Sequence, residues 1–340
     1  MKIALLGTSF PFRGGLSDYN ERLVREMQKD GHQVTIYTFS LQYPNFLFPG
    51  KSQYSDQKRP TDLNIVECIN SLNPINWLRV GNRLKKENYE LIIVGYWIPF
   101  MAPCLGTIIK RIKSNVGTKV ISIVHNIIPH EKRIGDRLLS KYFTNQVDAF
   151  IGMSANVLID IQSFDDQKPR ILSPHPVYDH FGVITSKSEA LKKLKLDANY
   201  SYILFFGLIR KYKGLDFLLN ALADERLKEK NLKLIIAGEY YDDKSFYKNI
   251  IKAHSLEDKV IETDGFVSNE DVQHYFNTCD LVVQPYKTAT QSGVTQIAYH
   301  FEKPMVVTNV GGLEEMCPHE KVGYVVEPNS EEIAAAILRN

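Results

Sequence analysis

Apolar residues in this chain gather in short unbroken runs separated by amphipathic stretches, and that alternation predicts an α/β protein. In the first half, strands are expected at residues 2–6, 34–39, 91–94, 119–124 and 149–153, with helices at about 17–29, 74–87, 100–113 and 135–146. The strand runs are apolar throughout rather than alternating, the mark of a parallel sheet covered on both faces. A charged helix is expected within 178–199, and then the pattern restarts with the apolar run Tyr202-Ile203-Leu204-Phe205-Phe206. Further strands follow at 232–237, 281–284 and 305–307, with helices near 245–253, 269–277 and 331–338. Two prolines in Ser173-Pro174-His175-Pro176-Val177-Tyr178 restrict the backbone where the halves meet. The expected domains are therefore 1–178 and 200–340, with a linker over 179–199.

One stretch organises the second half. Asp280-Leu281-Val282-Val283-Gln284 reads as a short buried strand, and a polar loop follows it to Gln291-Ser292-Gly293-Val294. Ser292 is placed to cap a helix running to about Phe301, with Gly293 where a ligand can approach the backbone. Met305-Val306-Val307 is the next strand, and Gly311-Gly312 turns away from it. The unit is a βαβ whose loop aims helix-start amides into the crevice at the strand ends, where an anion is expected.

Other loops carry candidate chemistry. Between Gly207 and Gly214, Arg210 and Lys213 stand three residues apart at a strand's carboxyl end. A guanidinium fork beside a lysine point charge suits neighbouring phosphates, and a solvated basic turn is the plainer reading. No GxxxxGK[ST] loop occurs. After the first strand, Gly7 to Asp18 contains Gly14-Gly15 but not GxGxxG, so it reads as a plain turn or a substrate loop before a dinucleotide loop. The fourth strand of the first half ends in His125-Asn126, where the imidazole either meets a ligand or makes a structural hydrogen bond. The irregular stretch from Leu41 to Pro60 is rich in aromatics. It either presents Phe46, Leu47 and Phe48 to an acceptor or a membrane surface, beside Lys51, Lys58 and Arg59, or packs onto its own domain.

Composition narrows the class. The chain has 340 residues, 44% hydrophobic and 24% charged, with a net charge of +2. That is an ordinary globular balance, with no electrostatic footprint for nucleic acid. The four cysteines are scattered without a CxxC pair, which fits a reducing, cytoplasmic setting. Met1-Lys2 leads straight into a strand-like run rather than a leader. No run approaches the roughly 18 apolar residues of a membrane span.

The combination of motifs is more specific than any one of them. Gly207, Arg210-x-x-Lys213-Gly214, Gly265-Phe266-Val267-Ser268 before a helix, and a Ser-Gly-Val helix start before Lys303-Pro304 resemble the retaining GT-B glycosyltransferases of family 4, often labelled group 1. His125-Asn126 and Gly14-Gly15 match that family's first-domain loops, and Asp30-Gly31-His32-Gln33-Val34 matches its second strand entry. The resemblance implies two Rossmann-like domains with parallel sheets facing a central cleft. It also implies metal-independent hexosyl transfer from a UDP- or GDP-linked sugar, as co-substrate rather than cofactor. The acceptor would be a glycan, a lipid-linked molecule or another hydroxyl, in cell-surface polysaccharide biosynthesis, with a peripheral contact at the inner membrane face.

Carried over by position, Arg210 and Lys213 would hold the diphosphate and stabilise the leaving nucleotide. The amides of Ser292, Gly293 and Val294 would approach the donor's sugar and phosphate, and the backbone around Val267 would receive the base. His125 would touch the donor sugar, and Gly14-Gly15 would admit acceptor and phosphate. The family's Glu-x7-Glu acids are missing: the two possible alignments place them at Ala289 and Ile297, or at Thr290 and Ala298. Gln291 and Gln296 are the nearest polar stand-ins. The resemblance also implies further C-terminal helices beyond the one at 331–338, which suggests a truncated end. Two other readings share these motifs: a GT-B protein that binds nucleotide-sugar without transferring it, and a nucleotide-sugar epimerase.

Overall fold

A computed structural model describes residues 1–44, 48, 50–114, 117–129 and 133–339. The chain divides into two compact units, Met1–Pro174 and His175–Asn340.

In the first unit seven strands form one sheet: β1 (Lys2–Leu6), β2 (Gln33–Leu41), β3 (Asn64–Asn70), β4 (Leu91–Tyr96), β5 (Lys119–Val124), β6 (Ala149–Gly152) and β7 (Arg170–Leu172). Their order is β3-β2-β1-β4-β5-β6-β7 and every pairing is parallel. Helices α1 (Gly15–Lys29), α2 (Pro74–Glu87), α3 (Ala102–Ile112), α4 (Asp136–Thr144) and α5 (Ala155–Gln162) make the crossovers. In α3 the buried Cys104, Leu105, Ile108, Ile109 and Ile112 recur at helical spacing, which turns that face to the core. Asn73 starts α2 by accepting from the amides of Ile75 and Asn76, with Pro74 at the first helical position. The strand order reverses between β1 and β4, so the loops after those strands flank the unit's crevice.

The second unit repeats the plan with six parallel strands: β8 (Ser201–Phe206), β9 (Leu232–Gly238), β10 (Val260–Asp264), β11 (Leu281–Gln284), β12 (Met305–Thr308) and β13 (Gly323–Val326). Their order is β10-β9-β8-β11-β12-β13, reversing between β8 and β11. Helices α6 (Lys187–Leu194), α7 (Leu215–Leu222), α8 (Glu225–Lys228), α9 (Lys244–Ala253), α10 (Asn269–Thr278), α11 (Gly293–His300), α12 (Leu313–Met316) and α13 (Ser330–Arg339) complete it. The β8 and β11 loops, which carry the basic pair and the organising stretch, border the switch point.

The expected linker over 179–199 is instead part of the second unit. Asn277 on α10 accepts from the Thr185 amide (3.0 Å) and donates to the Val183 carbonyl (2.9 Å). His300 at the end of α11 holds the Gly182 carbonyl (2.8 Å), and Lys187 pairs with Asp280 (2.6 Å). With its polar backbone groups met by the second unit's side chains, the segment is fixed there, and the boundary moves to Pro174.

The aromatics of the 41–60 stretch that are described pack on their own unit. Tyr54 stacks on Phe12 (ring centroids 5.4 Å apart), Tyr43 stacks on Phe100 (5.8 Å), and Trp97 donates to the Tyr43 hydroxyl (2.8 Å). Phe46 and Leu47 lie outside the described residues. Among the described residues no helix is long and apolar enough to cross a membrane.

Candidate functional site

The second unit's loops are locked together by backbone geometry. Gly207 and Gly214 both take positive φ (98° and 67°), so the chain leaves β8, makes a short turn over Lys211–Lys213 and enters α7 within a few residues. The Tyr212 carbonyl accepts from the Lys287 amide (2.7 Å), joining the β8 loop to the β11 loop. On the other side, the amide of Ile209 reaches the Glu239 carbonyl (2.9 Å) after β9. A β-carbon on Gly311 would stand 1.5 Å from the Ala289 carbonyl oxygen, so the glycine after β12 is required where the β11 loop crosses it.

Both expected cations are set by aromatic rings. The Arg210 guanidinium lies over Tyr241 (5.3 Å) and the Lys213 ammonium over Tyr286 (5.2 Å). A β-carbon at Gly207 would sit 3.4 Å from the Lys213 ammonium and 3.8 Å from Val294, so the bare glycine leaves room for both side chains at the end of β8. Burial pushes the Lys213 pKa down from its ordinary value; Tyr212 opposes that and the nearby Arg210 charge adds to it. An ammonium in this state gains from any anion placed between it and Arg210.

Ser292 does not cap α11, contrary to expectation. Its hydroxyl meets the Tyr286 hydroxyl (3.2 Å), and no side chain takes the first-turn amides. Those amides therefore keep their donor capacity, which suits an anion better than a capped start. Burial pushes the Tyr286 hydroxyl up to about 12, so it stays neutral beside Ser292. Gly293 faces Tyr178: a β-carbon there would stand 3.2 Å from the tyrosine ring. Gln291 has a buried side-chain oxygen with no hydrogen-bond partner, and Gln296, 6% exposed, lies one turn into α11. His300 is occupied behind the site by Gly182. Val267 is buried in the loop after β10, at the sheet edge two strands from β8.

In the first unit, Gly14 (φ 104°) and Gly15 open α1 after the β1 loop. Tyr19 on that helix meets the ring of His125 edge-on (5.2 Å), so the helix that the glycines open also positions the histidine at the end of β5. His125 is 7% exposed, and the side-chain oxygen of the adjoining Asn126 is buried without a hydrogen-bond partner. The structure thus brings Gly14, Gly15 and His125 together in one unit. It brings Gly207, Arg210, Lys213 and 291–296 together in the other, and holds Val267 apart at the edge of that sheet. Sequence reasoning missed Tyr241, Tyr286 and Tyr178 as supports. Tyr286, directly after the proline that ends β11, was the one with a visible signal.

Two parallel α/β units, the second with cations and free helix amides at its switch point, define the GT-B class of glycosyltransferase architecture. Family comparison agrees over nearly the whole length: Glycosyltransferase Family 4 matches residues 13–174 and Glycosyl transferases group 1 matches residues 200–340. The chain belongs to the group 1, family 4-like glycosyltransferases. It is 23% identical to an uncharacterized glycosyltransferase, MJ1178, of Methanocaldococcus jannaschii, over 97% of this chain and 85% of the relative. It is 21% identical to O-antigen chain mannosyltransferase C of Escherichia coli, over 94% of this chain and 82% of the relative. Among solved structures, Anabaena Alr3699/HepE in complex with UDP-glucose shares the fold at a TM-score of 0.71 and 17% identity, covering 100% of this chain and 89% of that one.

Proposed function

We propose that the chain is a retaining hexosyltransferase whose donor is a UDP- or GDP-linked sugar. The observation that carries this reading is the placement of Arg210 and Lys213 at the second unit's switch point, beside an uncapped helix start. These groups suit the charge that develops on a departing nucleoside diphosphate, which supports a metal-independent transfer. In this reading Gly207 gives the diphosphate close backbone approach, and Ser292, Gly293 and Val294 supply amides. Gln291 and Gln296 meet sugar and ribose hydroxyls, and Val267 borders the base. His125 meets the donor sugar, and the Gly14-Gly15 loop receives the acceptor.

The O-antigen mannosyltransferase relative supports a glycan or lipid-linked acceptor in cell-surface polysaccharide assembly. A peripheral contact with an anionic inner membrane face is proposed through the exposed Lys51, Lys58 and Arg59. Flotation with anionic liposomes at low salt tests it, and absence of binding removes it.

The test of the reaction is transfer from a panel of nucleotide-sugars, with the anomeric configuration of the product read by NMR. Retention with one donor supports the proposal; inversion overturns its retaining part. A second reading, binding without transfer, is favoured by the absence of an acid at Ala289, Thr290, Ile297 and Ala298. Tight donor binding with neither transfer nor hydrolysis would select it, and an isomerised nucleotide-sugar would select an epimerase.

A further inference from the structure

Beside the phosphate loop, the second unit contains a hollow of about 430 Å³ that the donor reading does not use. Its volume falls within the roughly 300–1,000 Å³ of small-ligand pockets. Lys211 and Lys287 line it, whereas Lys213, whose ammonium lies beside Gly207, does not. The two places are neighbours with different linings.

Two residues lining this hollow each hold a buried polar atom with no hydrogen-bond partner. Tyr247 is fully buried, and its hydroxyl makes no hydrogen bond. Asp216, in the first turn of α7, gives one carboxylate oxygen to Lys287 (2.6 Å) and leaves the other buried and unpaired. Burial raises the Tyr247 pKa, and the Asp242 and Asp216 carboxylates raise it further. Folded proteins rarely leave such groups bare. Phe246, next in the chain to Tyr247, is 46% exposed and also lines the hollow.

The lining selects among ligand chemistries. Asp216, Asp242 and Asp243 repel an anion. Two lysines oppose a cation, and among the described residues no group of three metal-ligating side chains is placed to hold one. An apolar ligand would leave both orphaned groups unmet. A sugar ring answers all of them, because each hydroxyl both donates and accepts while the C–H face covers an aromatic ring.

We propose that this hollow is a second carbohydrate site, in which a neutral sugar ring stacks on Phe246, donates a hydroxyl to the free Asp216 oxygen and shares a hydrogen bond with Tyr247. It goes beyond the donor reading and stands without it, since the two sites are read by separate variants.

The experiment is a saturation-transfer NMR titration of the full chain with methyl glucoside, methyl mannoside and methyl galactoside, with inorganic phosphate and methylammonium as contrasting probes. At least one glycoside should bind saturably, and Phe246→Ala and Tyr247→Phe should each weaken it roughly tenfold, the scale of one lost contact or hydrogen bond. Nucleotide affinity should stay unchanged in both variants. Tyr247→Phe removes only an unpaired hydroxyl, so its Tm should not fall and the test remains open even if Phe246→Ala misfolds. The proposal is overturned if no glycoside binds at tens of millimolar, if binding survives both substitutions, or if only phosphate or methylammonium binds.

Discussion

The β-carbon that Gly214 lacks would stand 1.9 Å from the carbonyl oxygen of Pro285. The turn that presents Arg210 and Lys213 is therefore pressed onto the end of β11, so the two loops of the candidate donor site are in direct backbone contact. Gly214→Ala should pay about 1–2 kcal/mol for its left-handed backbone and more for the collision. A fall in Tm of roughly 5–10 °C is expected. Gly135, also at positive φ but with open space where a β-carbon would go, is the control. Gly135→Ala should cost only the backbone term, and an equal loss from both variants would mean the contact with Pro285 does not matter.

Arg210→Ala should lower turnover by roughly 2–4 kcal/mol of transition-state stabilisation, the scale for one preorganised donor. Its guanidinium lies over the Tyr241 ring, and Tm measured beside turnover separates a lost catalytic contact from a loosened fold. Turnover close to wild type at saturating donor would show that another group carries the leaving charge.

The lowered pKa of Lys213 gives a pH signature. Between that value and the ordinary 10.5, the unfolded chain binds more protons than the folded one, so this group makes stability rise with pH in that window. Donor binding should do the reverse. A diphosphate beside Lys213 favours the ammonium and raises its pKa, so the complex takes up a proton and affinity falls as pH rises through the same window. Calorimetry in two buffers of different ionisation enthalpy measures the uptake directly. Proton release, or affinity that is flat in alkaline pH, would separate Lys213 from the diphosphate.

How legible these features were depends on what local sequence records. Strands buried on both faces carry unbroken apolar runs, and β1, β5 and β11 were bounded correctly from them. The strands β3, β7, β10 and β13 were not foreseen. They lie at or near sheet edges, where Asn64-Ile65-Val66-Glu67 and Ile261-Glu262-Thr263 mix polar with apolar residues. Arg210 and Lys213 were readable because glycines frame them at a strand end. The rings beneath them were less so, since Tyr241 and Arg210 come together only through the β8–β9 pairing. Ser292 was misread for a related reason: a serine before a helix signals a cap, but Tyr286, six residues back, outcompetes the helix amides for its hydroxyl. The linker was misread because its contacts with Asn277 and His300 are about 90 to 118 positions away in sequence.

The amide substitution in the β11 loop yields the sharpest test of how the donor is held. Gln291 stands just before the uncapped start of α11, and its side-chain oxygen is buried without a partner. A sugar hydroxyl arriving there would donate to that oxygen, so Gln291→Ala should cost donor affinity about 1–2 kcal/mol. Gln296, one turn into α11, should behave alike if it meets the ribose and should leave affinity unchanged if it only fills the core. Gln291→Glu separates two placements of the donor. If the loop meets sugar hydroxyls, a carboxylate accepts at least as well as an amide, and affinity and rate should hold or improve. If the loop meets the diphosphate, the added charge stands beside another anion, and binding should collapse while Tm stays near wild type. That second outcome would move the sugar away from Gln291 and assign the loop to the phosphates, alongside Lys213.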